Sequence, residues 1–181
     1  MPKIVDRELQ RQEILSAAFP LFAQKGFGVV GMRQCAKELG VSTGTLYHYF
    51  SSKEALFEQM FLRKSQGLIR ELVQVIPGDG PREDRIDALV QFVEEQSVEL
   101  QRMLVMAFDF RRNGPEASEL LHQSFLFFRN SLKEMLGISD SDDADRILVL
   151  LFGILSRDIL LKDKLNVNAY RGQLERILPE N

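Results

Sequence analysis

The side chains best suited to chemistry are crowded into one short stretch. Between residues 40 and 50, GVSTGTLYHYF, stand Thr43, Gly44, Thr45, Tyr47, His48 and Tyr49. Threonine hydroxyls and an imidazole can meet base edges or phosphates, and a threonine methyl can touch the methyl of thymine. Tyrosine hydroxyls can hold phosphates. Arg33 lies a few residues upstream and can pair with guanine, while Lys53 lies just downstream and suits a phosphate. Catalytic chemistry is poorly represented. The chain has two histidines, His48 and His122, and neither stands with acidic or cysteine residues at metal-ligand spacing. No glycine-rich phosphate loop or nucleophile elbow is present. The sequence therefore predicts no enzyme, no cofactor and no metal.

The elements that position these residues follow from helical periodicity. Apolar residues recur at helical spacing throughout, and no alternation of period two reads as a strand. Breaks at glycine, proline, serine and aspartate clusters divide the chain into about nine helices, so the expected fold is all-α. They run near 5–25, 32–39, 43–49, 51–76, 82–97, 99–112, 116–136, 143–163 and 168–178. Ser51-Ser52-Lys53-Glu54 reads as a capping box opening the fourth helix. The PGDGP cluster at 77–81 ends it. Pro20 inside the first helix forfeits a bond to Ser16 and should bend it.

Helices 32–39 and 43–49 are separated by Gly40-Val41-Ser42, the helix-turn-helix arrangement whose second helix can enter a DNA major groove. At 100° per residue, Thr43, Leu46 and Phe50 face inward. Gly44 and His48 point the opposite way, flanked by Thr45 and Tyr49 on one side and Tyr47 on the other. In the preceding helix Met32, Cys35, Ala36 and Leu39 face inward, while Arg33, Gln34 and Lys37 face out. An inward Cys35 reads as a small core residue. The same pattern also describes a three-helix knot with a polar outer face.

The sequence further resembles the DNA-binding domain of TetR-type transcriptional regulators. The resemblance rests on Arg11-Gln12-Glu13-Ile14-Leu15, Ala17-Ala18, Leu21-Phe22, Gly26-Phe27, Cys35-Ala36, Gly40-Val41-Ser42, Gly44-Thr45-Leu46-Tyr47, Tyr49-Phe50 and Lys53-Glu54-Ala55-Leu56. It covers residues 7 to 57. It implies a homodimeric repressor that binds a palindromic operator and is released by a small molecule in the C-terminal domain. It places Arg33, Thr43, Gly44, Thr45, Tyr47, His48, Tyr49 and Lys53 where members of that family contact DNA. Three positions depart from the pattern: Gly31 stands for a capping threonine, Cys35 for an isoleucine, and Pro20 for a non-proline residue.

The expected division is a helix-turn-helix domain over 1–53 and a ligand-binding and dimerisation domain over 54–181. Phe92, Met103, Met106, Phe110, Phe125, Phe128 and Phe152, with His122, are candidates to line an apolar effector pocket. Asp109, Arg111 and Arg112 are further polar candidates there. The run RILVLLFGILSRDILL is apolar around most of its circumference, which suits a helix covered on both sides. Leu148, Phe152, Gly153, Leu155, Ile159 and Leu174 are accordingly assigned to a dimer interface formed by the last two helices. A buried central helix in a monomer gives the same pattern.

Composition agrees with this division. Net charge is −3, yet residues 1–53 carry seven Lys and Arg against four Asp and Glu, a balance of +3. A basic front on an acidic body suits a nucleic-acid-facing end. One cysteine permits no internal disulfide, and the charged first residues suit no signal peptide, so a cytoplasmic, membrane-free protein is expected. The competing reading is a helical carrier of an apolar molecule that never touches DNA.

Overall fold

Leu46 and Phe50, four residues apart, are both buried, and that pairing draws the short helix around them onto its neighbours. The computed structural model describes residues 7–78, 80–112, 115–161 and 165–178. Among these the chain is all-α. Its helices are α1 (Arg7–Lys25), α2 (Met32–Glu38), α3 (Thr43–Tyr49), α4 (Lys53–Val75), α5 (Arg82–Glu95), α6 (Ser97–Arg111), α7 (Pro115–Leu136), α8 (Ser141–Leu161) and α9 (Arg171–Ile177). A 3-10 turn, Asn168–Tyr170, precedes α9, so the last helix is shorter than the periodicity suggested. No helix among the described residues is long and apolar enough to cross a membrane.

Two compact units emerge. The first joins residues up to Lys64 with Val105–Leu120; the second joins Ser65–Leu104 with the chain from Leu121 onward. The front is therefore larger than the expected 1–53, for a reason visible in its core. Phe57 of α4 meets Phe22 edge-on at 5.4 Å and Phe27 at 5.1 Å. Phe110 of α6 stacks on Phe57 at 4.3 Å and meets Phe27 edge-on at 4.8 Å. The first three helices bury too little apolar surface alone, and this aromatic cluster completes their core.

Local signals explain the boundaries. Gly40 adopts a left-handed φ of 68° after α2. The Val41 N–H then reaches back to the Ala36 carbonyl at 3.0 Å, which closes the turn before α3. The cap of α4 is Ser52 rather than Ser51: its hydroxyl accepts from the Ala55 N–H at 3.1 Å, so the capping-box register is displaced by one residue. Gly31 caps α2 with extended backbone but no side-chain bond. A Cβ there would meet nothing within 4 Å. Gly31→Ser is therefore expected to stabilise the chain by roughly 0.3–1 kcal/mol, read as a higher urea midpoint. An unchanged midpoint would refute the missing-cap account.

In the second unit, Glu94 of α5 accepts from the backbone N–H groups of Val167 (2.9 Å) and Asn168 (3.4 Å). Arg171 binds both Asp87 of α5 and Glu175 of α9. Lys133 near the end of α7 donates to Ser141 at the start of α8 (2.9 Å). These polar ties frame a core that includes Ile86, Leu89, Leu136, Ile147 and Leu174.

Candidate nucleic-acid interface

The outward face of α3 is built by what lies beneath it. Leu46 and Phe50 are buried below the helix. The Tyr49 hydroxyl donates to Gln10 of α1 at 2.8 Å, tying α3 to α1 by a side chain that the pattern of apolar residues did not single out. Ser42 caps the helix: its hydroxyl accepts from the Thr45 N–H at 2.9 Å and shares a 2.8 Å hydrogen bond with the Thr45 hydroxyl. His48 meets the Tyr49 ring edge-on at 5.3 Å.

On this frame Gly44, Tyr47 and His48 are exposed, while Thr43, Thr45 and Tyr49 are half-buried. Tyr47 shows 52% of its surface, a high value for a large ring with no core to fill. Arg33 of α2 is exposed as well and makes no hydrogen bond or ion pair within the described residues. A Cβ placed on Gly44 would meet only the Ser42 hydroxyl, at 3.8 Å, so the fold itself does not require glycine there.

Lys53 is differently placed from the free phosphate-holder expected. Its Nζ donates to the Phe27 carbonyl at 2.9 Å and lies 4.0 Å above the Phe27 ring. The same loop is gripped from the other side. Asp109 of α6 accepts from the Phe27 N–H at 2.6 Å and the Gly28 N–H at 3.3 Å. Asp109 thus clamps this loop within the first unit. Sequence periodicity offered no sign of this, because the two partners lie about eighty positions apart. Lys25 at the end of α1 pairs with Glu38 of α2 at 2.6 Å, and its ammonium holds the Glu38 carboxyl below its ordinary value.

Cys35 is fully buried, and burial pushes its thiol above the ordinary value. A raised thiol means little thiolate at neutral pH. Native protein at pH 7.5 is expected to resist a thiol-reactive chromophore and to react fully once unfolded in urea. Prompt labelling of the native chain would contradict that burial.

The residues proposed for the effector pocket are divided between the two units. Met106 and Phe110 are buried in the first unit, Phe110 within the aromatic cluster. Phe92 and Met103 are buried in the second unit. Phe125, Phe128 and Phe152 are half-buried there, with Phe125 and Phe152 rings 6.2 Å apart across α7 and α8. His122 is exposed on α7, as are Arg111 and Arg112 at the end of α6. The dimer residues need a similar correction. Leu148, Leu155 and Leu174 are consumed by the chain's own core and have no surface to offer. Gly153 is exposed, and Phe152 and Ile159 are half-buried. The helical wheel could not separate these sets, because α8 is apolar on its inner and outer faces alike. Among the described residues no group of three His, Cys, Asp or Glu could hold a metal ion.

Comparison with known proteins bears on the same region. Residues 14–60 match the tetR family of bacterial regulatory proteins. The transcriptional regulator UidR of Escherichia coli (strain K12) is 32% identical over 85 residues, 47% of this chain and 43% of UidR. The chain thus spans less than half the length of that relative. The fold likeness extends further. The structure of Salmonella enterica GusR superposes with a TM-score of 0.76 at 24% identity, covering 97% of this chain and 98% of the other. FadR from Bacillus subtilis, solved in complex with stearoyl-CoA, superposes with a TM-score of 0.75 at 18% identity, covering 92% and 97%. The matched family and UidR are transcriptional regulators, not enzymes.

Proposed function

We propose, from the match of residues 14–60 to the tetR family of bacterial regulatory proteins, that the chain is a homodimeric repressor released from a palindromic operator by a small molecule. The observation that carries the reading is the outward face of α3. An exposed glycine is ringed by threonine, histidine and tyrosine side chains, and the helix is anchored from below by Leu46 and Phe50. Such a helix can lie in a major groove, with Gly44 admitting close backbone approach and Thr43, Thr45, Tyr47 and His48 meeting bases and phosphates. Arg33 and Lys37, exposed on α2, supply charge for the phosphate backbone.

A dimer would set two such helices one DNA turn apart, about 34 Å. In this reading the partner covers the outer side of α8, a reading supported by the exposure of Val149, Gly153 and Leu160 along it. A small molecule bound within the second unit has a covalent route to the first, because α4 and α6 each supply residues to both. Displacement of α6 would be felt at Asp109 and so at the loop before α2. That FadR was solved with stearoyl-CoA supports a ligand site in this fold.

The test is direct. Purified chain is titrated against its palindrome, selected from a random-sequence pool, and against unrelated duplex at rising salt. The palindrome should bind about 1,000-fold tighter or more, and both affinities should fall steeply with salt. Equal affinity for the two duplexes would remove the regulator reading.

A further inference from the structure

Arg85 is the largest side chain to be fully buried, with 1% of its surface exposed. It lies on α5 in the second unit, and its Nη1 donates to the Leu136 carbonyl at the end of α7 at 2.7 Å. A cation at a helix C-terminus is favourable, and that contact accounts for one of its nitrogens. The other two, Nε and Nη2, have no hydrogen-bond partner among the described residues. No carboxylate among those residues pairs with it; the nearby acids on α5, Glu83, Asp84 and Asp87, are all exposed. Long arginine side chains usually carry their head groups out to water, and this one does not.

The identity of the unpaired atoms is informative. Nε–H and Nη2–H lie on one edge of the guanidinium and point the same way, forming the fork that grips two oxygens of a carboxylate or phosphate. Burying guanidinium N–H groups without partners is costly, as it is here for Nε and Nη2. The position is also built into the backbone. Gly137 has a left-handed φ of 64°, which favours glycine, and a Cβ there would fall 2.9 Å from Arg85 Nη1 and press on the guanidinium. Around it the same helices bury Ile86, Leu89, Leu132 and Leu136.

We propose that the Nε–Nη2 fork of Arg85 binds the carboxylate or phosphate head of an amphipathic ligand whose apolar body enters the core of the second unit. The inference rests on the reading of that unit as the effector-binding part, and it sharpens an apolar effector into an anionic one. The guanidinium fork selects for two oxygens in a plane, and the surrounding leucines and isoleucines select for a hydrocarbon body.

Calorimetric titration of the full chain with decanoate, decyl phosphate and decanol tests it. At least one of the two anions should bind wild type about 10- to 100-fold tighter than decanol, which shares the body and lacks the charge. Which anion prevails distinguishes a carboxylate ligand from a phosphate one. Arg85→Gln should bring the anion down to the level of decanol, and Arg85→Lys, which keeps charge without the fork, should fall between. Anions binding no tighter than decanol to wild type would overturn the proposal, and so would equal anion affinity in wild type and a folded Arg85→Gln. Should Arg85→Gln fail to fold, the wild-type comparison and Arg85→Lys decide. Operator affinity is read separately. Arg85-dependent anion binding that leaves it unchanged supports the site and removes the effector role.

Discussion

A Gly44→Leu chain is expected to fold as well as wild type and to bind its palindrome on the order of 100-fold more weakly, the loss of base contacts worth roughly 1–3 kcal/mol each. The two halves of that expectation come from different physics. Within the protein, a Cβ at Gly44 approaches only the Ser42 hydroxyl, at an ordinary 3.8 Å, and the longer side chain points to solvent. Leucine is also a better helix former than glycine by about 0.5–1 kcal/mol, so stability should hold or rise. On DNA, the same side chain would stand at the centre of the contacting face and hold the backbone away from the groove. Thr45, Tyr47 and His48 would then miss the base edges together. Circular dichroism, thermal melting and fluorescence anisotropy on cognate and random duplexes separate the two effects. Unchanged affinity for the palindrome would show that another surface reads it.

Phe110→Ala should cost about 3–5 kcal/mol, the usual range for truncating a buried phenylalanine. In a chain of this size that lowers the melting temperature by roughly 10 °C. The reason lies in its neighbours. Phe110 comes from α6, yet its ring stacks on Phe57 and meets Phe27 edge-on, and it is 1% exposed. Its removal leaves a cavity under the loop that Asp109 and Lys53 hold. Phe110→Leu should recover most of the loss, because the cavity is largely refilled. A loss below about 1 kcal/mol for the alanine variant would mean that the first unit does not depend on residues 105–120.

Much of the interface was legible because its signals are local. Leu46 and Phe50 face inward, and Gly44 and His48 outward, by helical geometry alone. Gly40 ends α2 through a backbone conformation that other residues rarely adopt. The contacts of Tyr49 with Gln10 and of Lys53 with Phe27 were not legible, since each depends on how distant segments pack. The corrections in the second unit have the same origin. Phe110 and Asp109 fall in the C-terminal stretch of the sequence, yet they pack within the first unit. Leu148, Leu155 and Leu174 looked like interface because they are apolar, yet the chain buries them itself.

Short-range periodicity, turn chemistry and side-chain type were therefore enough to specify an all-α chain with Gly44, Tyr47 and His48 on the outward face of the helix over residues 43–49. Tertiary packing alone decided where the units divide, which apolar residues remain outside, and that a guanidinium would be enclosed with two of its three nitrogens unpaired. Periodicity is a property of one helix, whereas burial is a property of everything packed against it. Arg85 illustrates the difference: in sequence it is one charge among several at the start of a helix, and in the fold it is a buried cation with two unpaired nitrogens.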